Sequence, residues 1–396
     1  MAVRVGFVHL ASNSSVEYPL HQRLAEYADP EKIDAWFLWQ SAASGPEAFV
    51  EGSRSSADEV DRTRHTLIDI GRDFSMPHRL TRLRRALLMG RRLPGGAVRI
   101  WRWARRVRPD VLYTSQQTID LIVARVLSSL IRRPHIIHLS YPIGPWLNPA
   151  ALRIAKASKR SIAVSEFVRL GAIEHGVGAA CIHTVHNPLD LDRFREARDP
   201  AYVREAFGLD PDAIVIIAAA RLDPSKGVDT LLRAFARMQA DHPDLIVVVC
   251  GRTNMRADYP SELRRLADES GASDRVVFAG FRDDLPKLFA GSDIFCLPTV
   301  NEAFGFVFIE AMSSGLPVVG CRSGGVPEIV REAKDGFLVP VEDPEALAEA
   351  LESLVSDRLL REKMGAAATE SARARFDPSD LSARWQGVVE LLAEPD

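Results

Sequence analysis

Ala213-Ile214-Val215-Ile216-Ile217-Ala218-Ala219 is an unbroken apolar, β-branched run that passes directly into Ala220-Arg221-Leu222-Asp223-Pro224-Ser225-Lys226-Gly227, two cations around an Asp-Pro turn. A strand with no polar alternation must be covered on both faces, the condition of a parallel sheet flanked by helices. A helical pattern over 231–240 and a second apolar strand over 245–250 follow. Strand, helix and strand in that order make a βαβ unit, with the two cations at the carboxyl end of its first strand.

The same alternation extends in both directions. Downstream, 262–270 reads as helix and 276–279, 294–297 and 318–320 as strands. Upstream, strands are expected at 3–10, 34–39, 110–114 and 135–139, with helices at 19–27, 97–107 and 119–130. A polar stretch over 186–204, containing Asn187-Pro188 and Asp199-Pro200, separates two such series. The expected architecture is α/β, with two doubly wound parallel-sheet domains at 1–194 and 195–370. A last helix within 371–396 is expected to cross back to the first domain. Open sheets of this kind bind ligands beyond the carboxyl ends of their strands, so two facing sheets would form a deep cleft.

Length and composition agree. A chain of 396 residues, 46% hydrophobic and 26% charged, is a soluble globular sequence of two or three domains rather than a disordered or fibrous one. No apolar run reaches 18 residues, and Arg4 interrupts the first apolar stretch where a signal peptide needs continuity. Cys181, Cys250, Cys296 and Cys321 are far apart, which suggests neither a disulfide framework nor a metal pair. A reducing cytoplasm is the expected location. The net charge of −3 hides an asymmetry: 29 Lys and Arg against 20 Asp and Glu in residues 1–200, and 21 against 33 thereafter. Opposite charge on the two halves points to different partners.

Three crests after strands in the second half carry candidate chemistry. Arg221 and Lys226 open onto a helix N-terminus, where fixed charge and unpaired N–H groups would stabilise a diphosphate; the alternative is a solvated loop with two surface cations. The missing GxxxxGK[ST] spacing excludes a Walker A loop. After 294–297 comes Glu302-Ala303-Phe304-Gly305-Phe306-Val307-Phe308-Ile309-Glu310, two carboxylates eight positions apart in a segment too apolar to hold the second without a partner. Gly305 would let backbone approach a ligand; alternatively, Glu302 is only a helix N-terminal charge and Glu310 a core outlier. The third crest is Ser323-Gly324-Gly325-Val326-Pro327-Glu328, two glycines ahead of a proline at the start of a helix.

Taken with Ala163-Val164-Ser165 and Asn187-Pro188-Leu189-Asp190-Leu191-Asp192-Arg193-Phe194, this set resembles the retaining GT-B glycosyltransferases of glycosyltransferase family 4, across most of residues 160–345. The resemblance implies two Rossmann-like domains, the C-terminal one holding a nucleotide-diphosphate sugar as co-substrate, and transfer with retention of anomeric configuration. It implies that Arg221 and Lys226 neutralise the leaving diphosphate and that Glu310 bonds the ribose hydroxyls. Glu302 and the backbone of Ala303, Phe304, Gly305 and Phe306 would hold the sugar, and backbone around Gly280, Phe281 and Arg282 the base. His138, ending the strand at 135–139, stands where the family places a sugar-contacting histidine; a lone strand-end histidine is otherwise structural. Where family members carry two glycines after the first strand, this chain has Ser14-Ser15, whose hydroxyls would bond a phosphate or acceptor, or only cap a helix.

No metal or other cofactor is expected. Asp190-x-Asp192 and Asp210-x-Asp212 imitate a DxD signature but fall in a linker and a turn, and the absence of GxGxxG gives a dinucleotide redox enzyme little support. Residues 79–108, which open with Arg79 and close with Arg108, contain eleven arginines, no acid, and Trp101 and Trp103. Such a segment would lie on an anionic membrane and reach a lipid-linked acceptor. It would equally serve as a solvated face in a chain with 43 Arg and 7 Lys, and nucleic acid is not an expected partner. The expectation is a metal-independent, hexosyltransferase-type enzyme using a UDP- or GDP-sugar, acting on a glycan, lipid-linked or small-molecule acceptor in bacterial cell-surface glycan synthesis. Alternatives are glycosylation of a small secondary metabolite, a silent GT-B binding protein, and a non-transferring nucleotide-sugar epimerase.

Overall fold

The computed structural model describes residues 2–10, 17–40, 65–68, 82–144, 147–253 and 256–394. It divides into two compact units: Met1–Val164 with Val168–Pro188 and Ser379–Asp396, and Leu189–Pro378 with Ser165–Phe167.

The first unit is built on seven strands: β1 (Val3–His9), β2 (Ile33–Gln40), β3 (His65–Ile68), β4 (Val111–Ser115), β5 (His135–Leu139), β6 (Ser161–Ala163) and β7 (Ile182–Thr184). They pair in the order β3-β2-β1-β4-β5-β6-β7, every pair parallel. β4 and β5 are buried at all five positions, as two-sided cover requires. Trp103 from the helix Arg82–Val107 fills the layer formed by Val8, Leu38, Leu112 and Leu127. On the other side Phe7, Phe37 and Tyr113 pack with Trp385 and Val389 of the last helix, Pro378–Ala393.

The second unit has six strands: β8 (Ile214–Ala219), β9 (Leu245–Cys250), β10 (Val276–Gly280), β11 (Ile294–Leu297), β12 (Val318–Cys321) and β13 (Gly336–Val339). Their order is β10-β9-β8-β11-β12-β13, again parallel throughout. The helix Val228–Met238 buries Val228, Leu231, Leu232, Phe235 and Met238, the i, i+3, i+4, i+7 spacing of a single face. Both sheets therefore reverse direction beside their first strand, between β1 and β4 and between β8 and β11. The carboxyl ends at those two reversals are where ligand crevices form in open α/β sheets.

The structure departs from the sequence reading in short elements. β3, β6, β7 and β13 have three or four residues each, too few to show a period. The helix expected at 97–107 begins at Arg82 and runs through Pro94-Gly95-Gly96, so the basic segment is one continuous helix from Arg82 to Val107. The helices at the end of the chain are Arg358–Phe376 and Pro378–Ala393, parted at Asp377 before a proline.

Candidate functional site

The site expected from sequence lies on the crests that follow β8, β11 and β12, which are adjacent in the second sheet. After β8, Pro224–Lys226 forms a 3-10 turn whose first N–H groups are capped by Asp223 Oδ1, bonded to Ser225 N at 3.1 Å. Gly227 closes the turn at φ +67°, and a side chain there would strike the Pro298 carbonyl of the neighbouring crest. That neighbour is stitched to the first crest by Val300 N to Ser225 O at 2.8 Å and Thr299 Oγ1 to Ser225 O at 3.1 Å. Across the same seam Lys226 Nζ bonds Glu302 Oε2 at 2.5 Å. Each side chain is 16% exposed, whereas Arg221 is 55% exposed, with its guanidinium 3.6 Å from Asp223.

The third crest fixes the backbone of Glu302. Gly325 N bonds Glu302 O at 2.7 Å, and Ser323 Oγ accepts from Asn301 N at 3.2 Å. Gly324, at φ +61°, lies so close to the Glu302 backbone that a Cβ would overlap it. Beyond Glu302, Ala303 and Phe304 are buried, and the Ala303 carbonyl accepts from Ser165 Oγ at 2.5 Å. The Glu328 carboxylate takes the N–H groups of Glu166 and Phe167, both at 2.8 Å. Gly305, at φ +100°, then starts the helix Phe306–Ser313, on which Glu310 is half-buried. Phe308 N bonds Gly305 O at 3.0 Å, and the N–H groups of Phe306 and Val307 ahead of it form the partial positive end of that helix.

Gly280, at φ +69°, ends β10 and accepts from Gly251 N at 2.7 Å. Phe281 is 65% exposed beneath the Arg252 guanidinium, 4.8 Å away. Arg282 is committed to Asp284 through two hydrogen bonds, and Tyr202 Oη donates to the same carboxylate at 2.7 Å. The Arg282 partner holds Asp284 down to about 2.

His138 belongs to the other unit and sits among four more aromatic donors and acceptors. His21 Nε2 lies 3.0 Å from His138 Nδ1, His9 Nε2 lies 3.2 Å from His21 Nδ1, and Tyr113 Oη is 2.9 Å from His138 Nδ1. Trp385 Nε1 donates to Tyr113 Oη at 3.0 Å. Burial pushes His9 and His138 down to about 3 and His21 well below its usual range. The structure therefore brings Arg221, Lys226, Glu302, Ala303, Phe304, Gly305 and Phe306 together on neighbouring crests. Ser14 and Ser15 lie outside the described residues. Sequence reading missed Ser225, Thr299 and Ser323, which lock the crests, and His21, Tyr113 and Trp385; isolated residues 12 to 272 positions apart carry no local signal.

Among the described residues no group of three or more His, Cys, Asp or Glu could hold a metal ion, and no helix is long and apolar enough to cross a membrane. Asp210 Oδ1 accepts from Asp212 N at 2.9 Å, an ordinary turn. In the basic helix Trp103 is 3% exposed and belongs to the core, leaving Trp101, 39% exposed beside Arg105, as the outward tryptophan.

Two family models match this chain: "Glycosyltransferase Family 4" over residues 56–193 and "Glycosyl transferases group 1" over residues 202–371. The chain belongs to glycosyltransferase family 4. Similar family members include a D-inositol 3-phosphate glycosyltransferase of Streptomyces avermitilis, 35% identical over 233 residues, or 56% of this chain and 49% of that one. A D-inositol 3-phosphate glycosyltransferase 2 of Catenulispora acidiphila is 36% identical over 254 residues, 61% of this chain and 58% of the other. The chain spans about half the length of the curated relatives it matches. Among solved structures, Anabaena Alr3699/HepE in complex with UDP and glucose superposes with a TM-score of 0.78 at 22% identity, covering 99% of this chain and 100% of that one. Sucrose-phosphate synthase from Thermosynechococcus elongatus superposes at 0.73 with 18% identity, covering 98% and 99%. The fold of this family 4 member is GT-B.

Proposed function

We propose that this protein is a metal-independent, retaining glycosyltransferase that moves a hexosyl group from a UDP- or GDP-sugar to an acceptor hydroxyl. The carrying observation is the pairing of Lys226 with Glu302 at the β8/β11 reversal, beside Arg221 and ahead of the helix Phe306–Ser313. Breaking a glycosyl-phosphate bond builds negative charge on the departing diphosphate. Two cations held in place before the reaction stabilise that charge without reorganising. The departing phosphate itself would take the acceptor's proton, as the family resemblance implies, so no separate protein base is required.

In this reading residues 195–370 bind the donor and residues 1–194 the acceptor. Glu310 holds the ribose hydroxyls, Glu302 and the backbone from Ala303 to Phe306 hold the sugar, and backbone at Gly280, Phe281 and Arg282 meets the base. His138 contacts the donor sugar. UDP in the complex of the Anabaena protein supports a uridine donor. The biological setting we favour is cytoplasmic synthesis of a bacterial cell-surface glycan or glycolipid, with the Arg79 to Arg108 segment resting on anionic lipid. The names of the curated relatives favour a second reading, a small phosphorylated polyol as acceptor.

Calorimetric titration with UDP, GDP, ADP, TDP and their common sugar conjugates tests the donor assignment. One nucleotide binding clearly, and weakened by both Arg221→Ala and Glu310→Ala, supports it. Binding of none rejects it in favour of a silent fold. Flotation with anionic vesicles at low salt tests the surface contact, and recovery of the protein only in the bottom fraction ends that part of the reading.

A further inference from the structure

The four rings around His138 form a hydrogen-bond chain whose direction follows from donor and acceptor counting. Tyr113 is fully buried, and burial raises its hydroxyl pKa, so the phenol keeps its proton. Its oxygen has two partners: Trp385 Nε1 at 3.0 Å and His138 Nδ1 at 2.9 Å. An indole N–H only donates. The Tyr113 proton therefore has one acceptor within reach, His138 Nδ1, which must present its lone pair. A neutral imidazole with a bare Nδ1 carries its proton on Nε2.

The neighbouring ring obeys the same constraint. His21 Nε2 approaches His138 Nδ1 to 3.0 Å, and two lone pairs cannot face each other at that distance, so His21 also carries its proton on Nε2 and shares the single Nδ1 lone pair with the Tyr113 hydroxyl as a bifurcated contact. Its bare Nδ1 then accepts from His9 Nε2, 3.2 Å away. Reversing the chain would leave the buried Tyr113 proton with no acceptor. Among the described residues His138 Nε2 is buried without a hydrogen-bond partner, so its N–H is a donor still to be satisfied.

We infer that Tyr113, oriented by Trp385 and seconded by His21, is a positioning residue that locks His138 as the Nε2–H tautomer, making it a hydrogen-bond donor to a sugar hydroxyl rather than an acceptor from it. This rests on the transferase reading of His138 given above. The choice matters because histidine alone could serve either way. The lock is supplied by strand β4 and by the last helix, 272 residues apart in sequence, so that helix has a chemical reason to dock where it does.

The test is a two-bond proton–nitrogen correlation spectrum of the full chain labelled with 15N-histidine, resonances being assigned with His21→Gln and His138→Gln. Nε2 protonated and Nδ1 bare at both rings from pH 8 to pH 6 is the expected result. Nδ1–H at His138, or a charged ring, overturns the inference. In Tyr113→Phe the His138 tautomer is expected to become mixed and kcat to fall about tenfold, the worth of one net hydrogen bond, with KM for the nucleotide sugar within about twofold. An unchanged tautomer in that variant, whatever its rate, also overturns it. The wild-type spectrum needs neither donor nor acceptor and does not depend on Tyr113→Phe folding. Its failure is thus separate from failure of the transferase reading, which would show as absence of nucleotide binding.

Discussion

Lys226 and Glu302 stand 76 positions apart on different crests, yet their charged atoms meet at 2.5 Å with each side chain 16% exposed. Neither long side chain is free to sample the solvent, because Gly227 brings the two turns into backbone contact, Thr299 and Ser225 lock them, and Gly325 of the third crest holds the Glu302 backbone. Partial burial strengthens the attraction and also makes either partner costly to strand. In the transferase reading the pair is a charge store: an arriving diphosphate takes a share of the ammonium, and the carboxylate is released toward the sugar hydroxyls.

Removing the cations should therefore act on the transition state. Lys226→Ala and Arg221→Ala are each expected to lower transfer about 100-fold or more, equivalent to about 2.7 kcal/mol. Initial-rate measurement of nucleotide release in the presence of acceptor reads this directly. Lys226→Ala should also destabilise the second unit by leaving Glu302 unpaired, whereas Arg221, more than half exposed, should not. Wild-type turnover in both variants would sink the assignment.

Glu310 gives a ground-state counterpart. A carboxylate bonded to two ribose hydroxyls contributes about 1.5–3 kcal/mol, so Glu310→Ala should weaken nucleotide binding about 10- to 100-fold while leaving the unfolding midpoint nearly unchanged. The half-buried position of Glu310 supports the second part of that expectation. Calorimetry with the nucleotide diphosphate decides it, and equal affinity would move the ribose contact elsewhere.

Gly324 tests how the crest is held. At φ +61° a side chain is strained, and its Cβ would overlap the Glu302 backbone. Gly324→Ala is expected to cost about 2–3 kcal/mol and to raise KM for the donor by shifting Glu302. Gly387, in the interior of the last helix with nothing within 4 Å of an added Cβ, is the control: Gly387→Ala should stabilise by about 0.5–1 kcal/mol. Urea unfolding of the two variants, moving in opposite directions, checks both arguments.

The sequence made the second unit far more legible than the first, and the reason is physical. β8, β9 and β11 are continuous apolar runs closed by turn residues, and the crest residues Arg221, Lys226, Glu302 and Gly324 lie within a few positions of strand ends. Their chemistry is local and survives in one dimension. The hydroxyl stitches from Ser225, Thr299 and Ser323 are local too, but serine and threonine in a loop carry no distinctive pattern. The first unit's histidine cluster is built the other way: His9, His21, Tyr113, His138 and Trp385 come from four separate strands and helices and the chain's last helix, and only folding places them together. β3, β6 and β7 escaped notice because each mixes His, Thr or Ser into three or four positions and leaves no apolar run of the kind that marks the equally short β11.

The buried imidazoles predict which unit yields first to acid. His9, His21, His135 and His138 are all buried in the first unit, and desolvation depresses each of them, His135 with added repulsion from Arg125. Folded rings that titrate near 3 stay neutral while the same rings in the unfolded chain take up protons below 6.5. The unfolded state therefore binds more protons, and stability, fully present above pH 6.5, falls as pH drops toward 3. Well below 6.5 each ring contributes about 1.4 kcal/mol per pH unit, so four together remove several kcal/mol by about pH 5, comparable with the whole stability of a domain. All six tryptophans lie in the first unit's sequence, so their fluorescence follows that unit alone. Urea midpoints read by tryptophan emission should fall steeply between pH 7.5 and 5, ahead of the loss of helix signal from the second unit. His135→Gln, outside the His138 chain and bonded to Thr114 Oγ1, should flatten that slope by roughly one quarter of the four-ring effect. A midpoint that does not move with pH would mean the rings are charged in the folded protein.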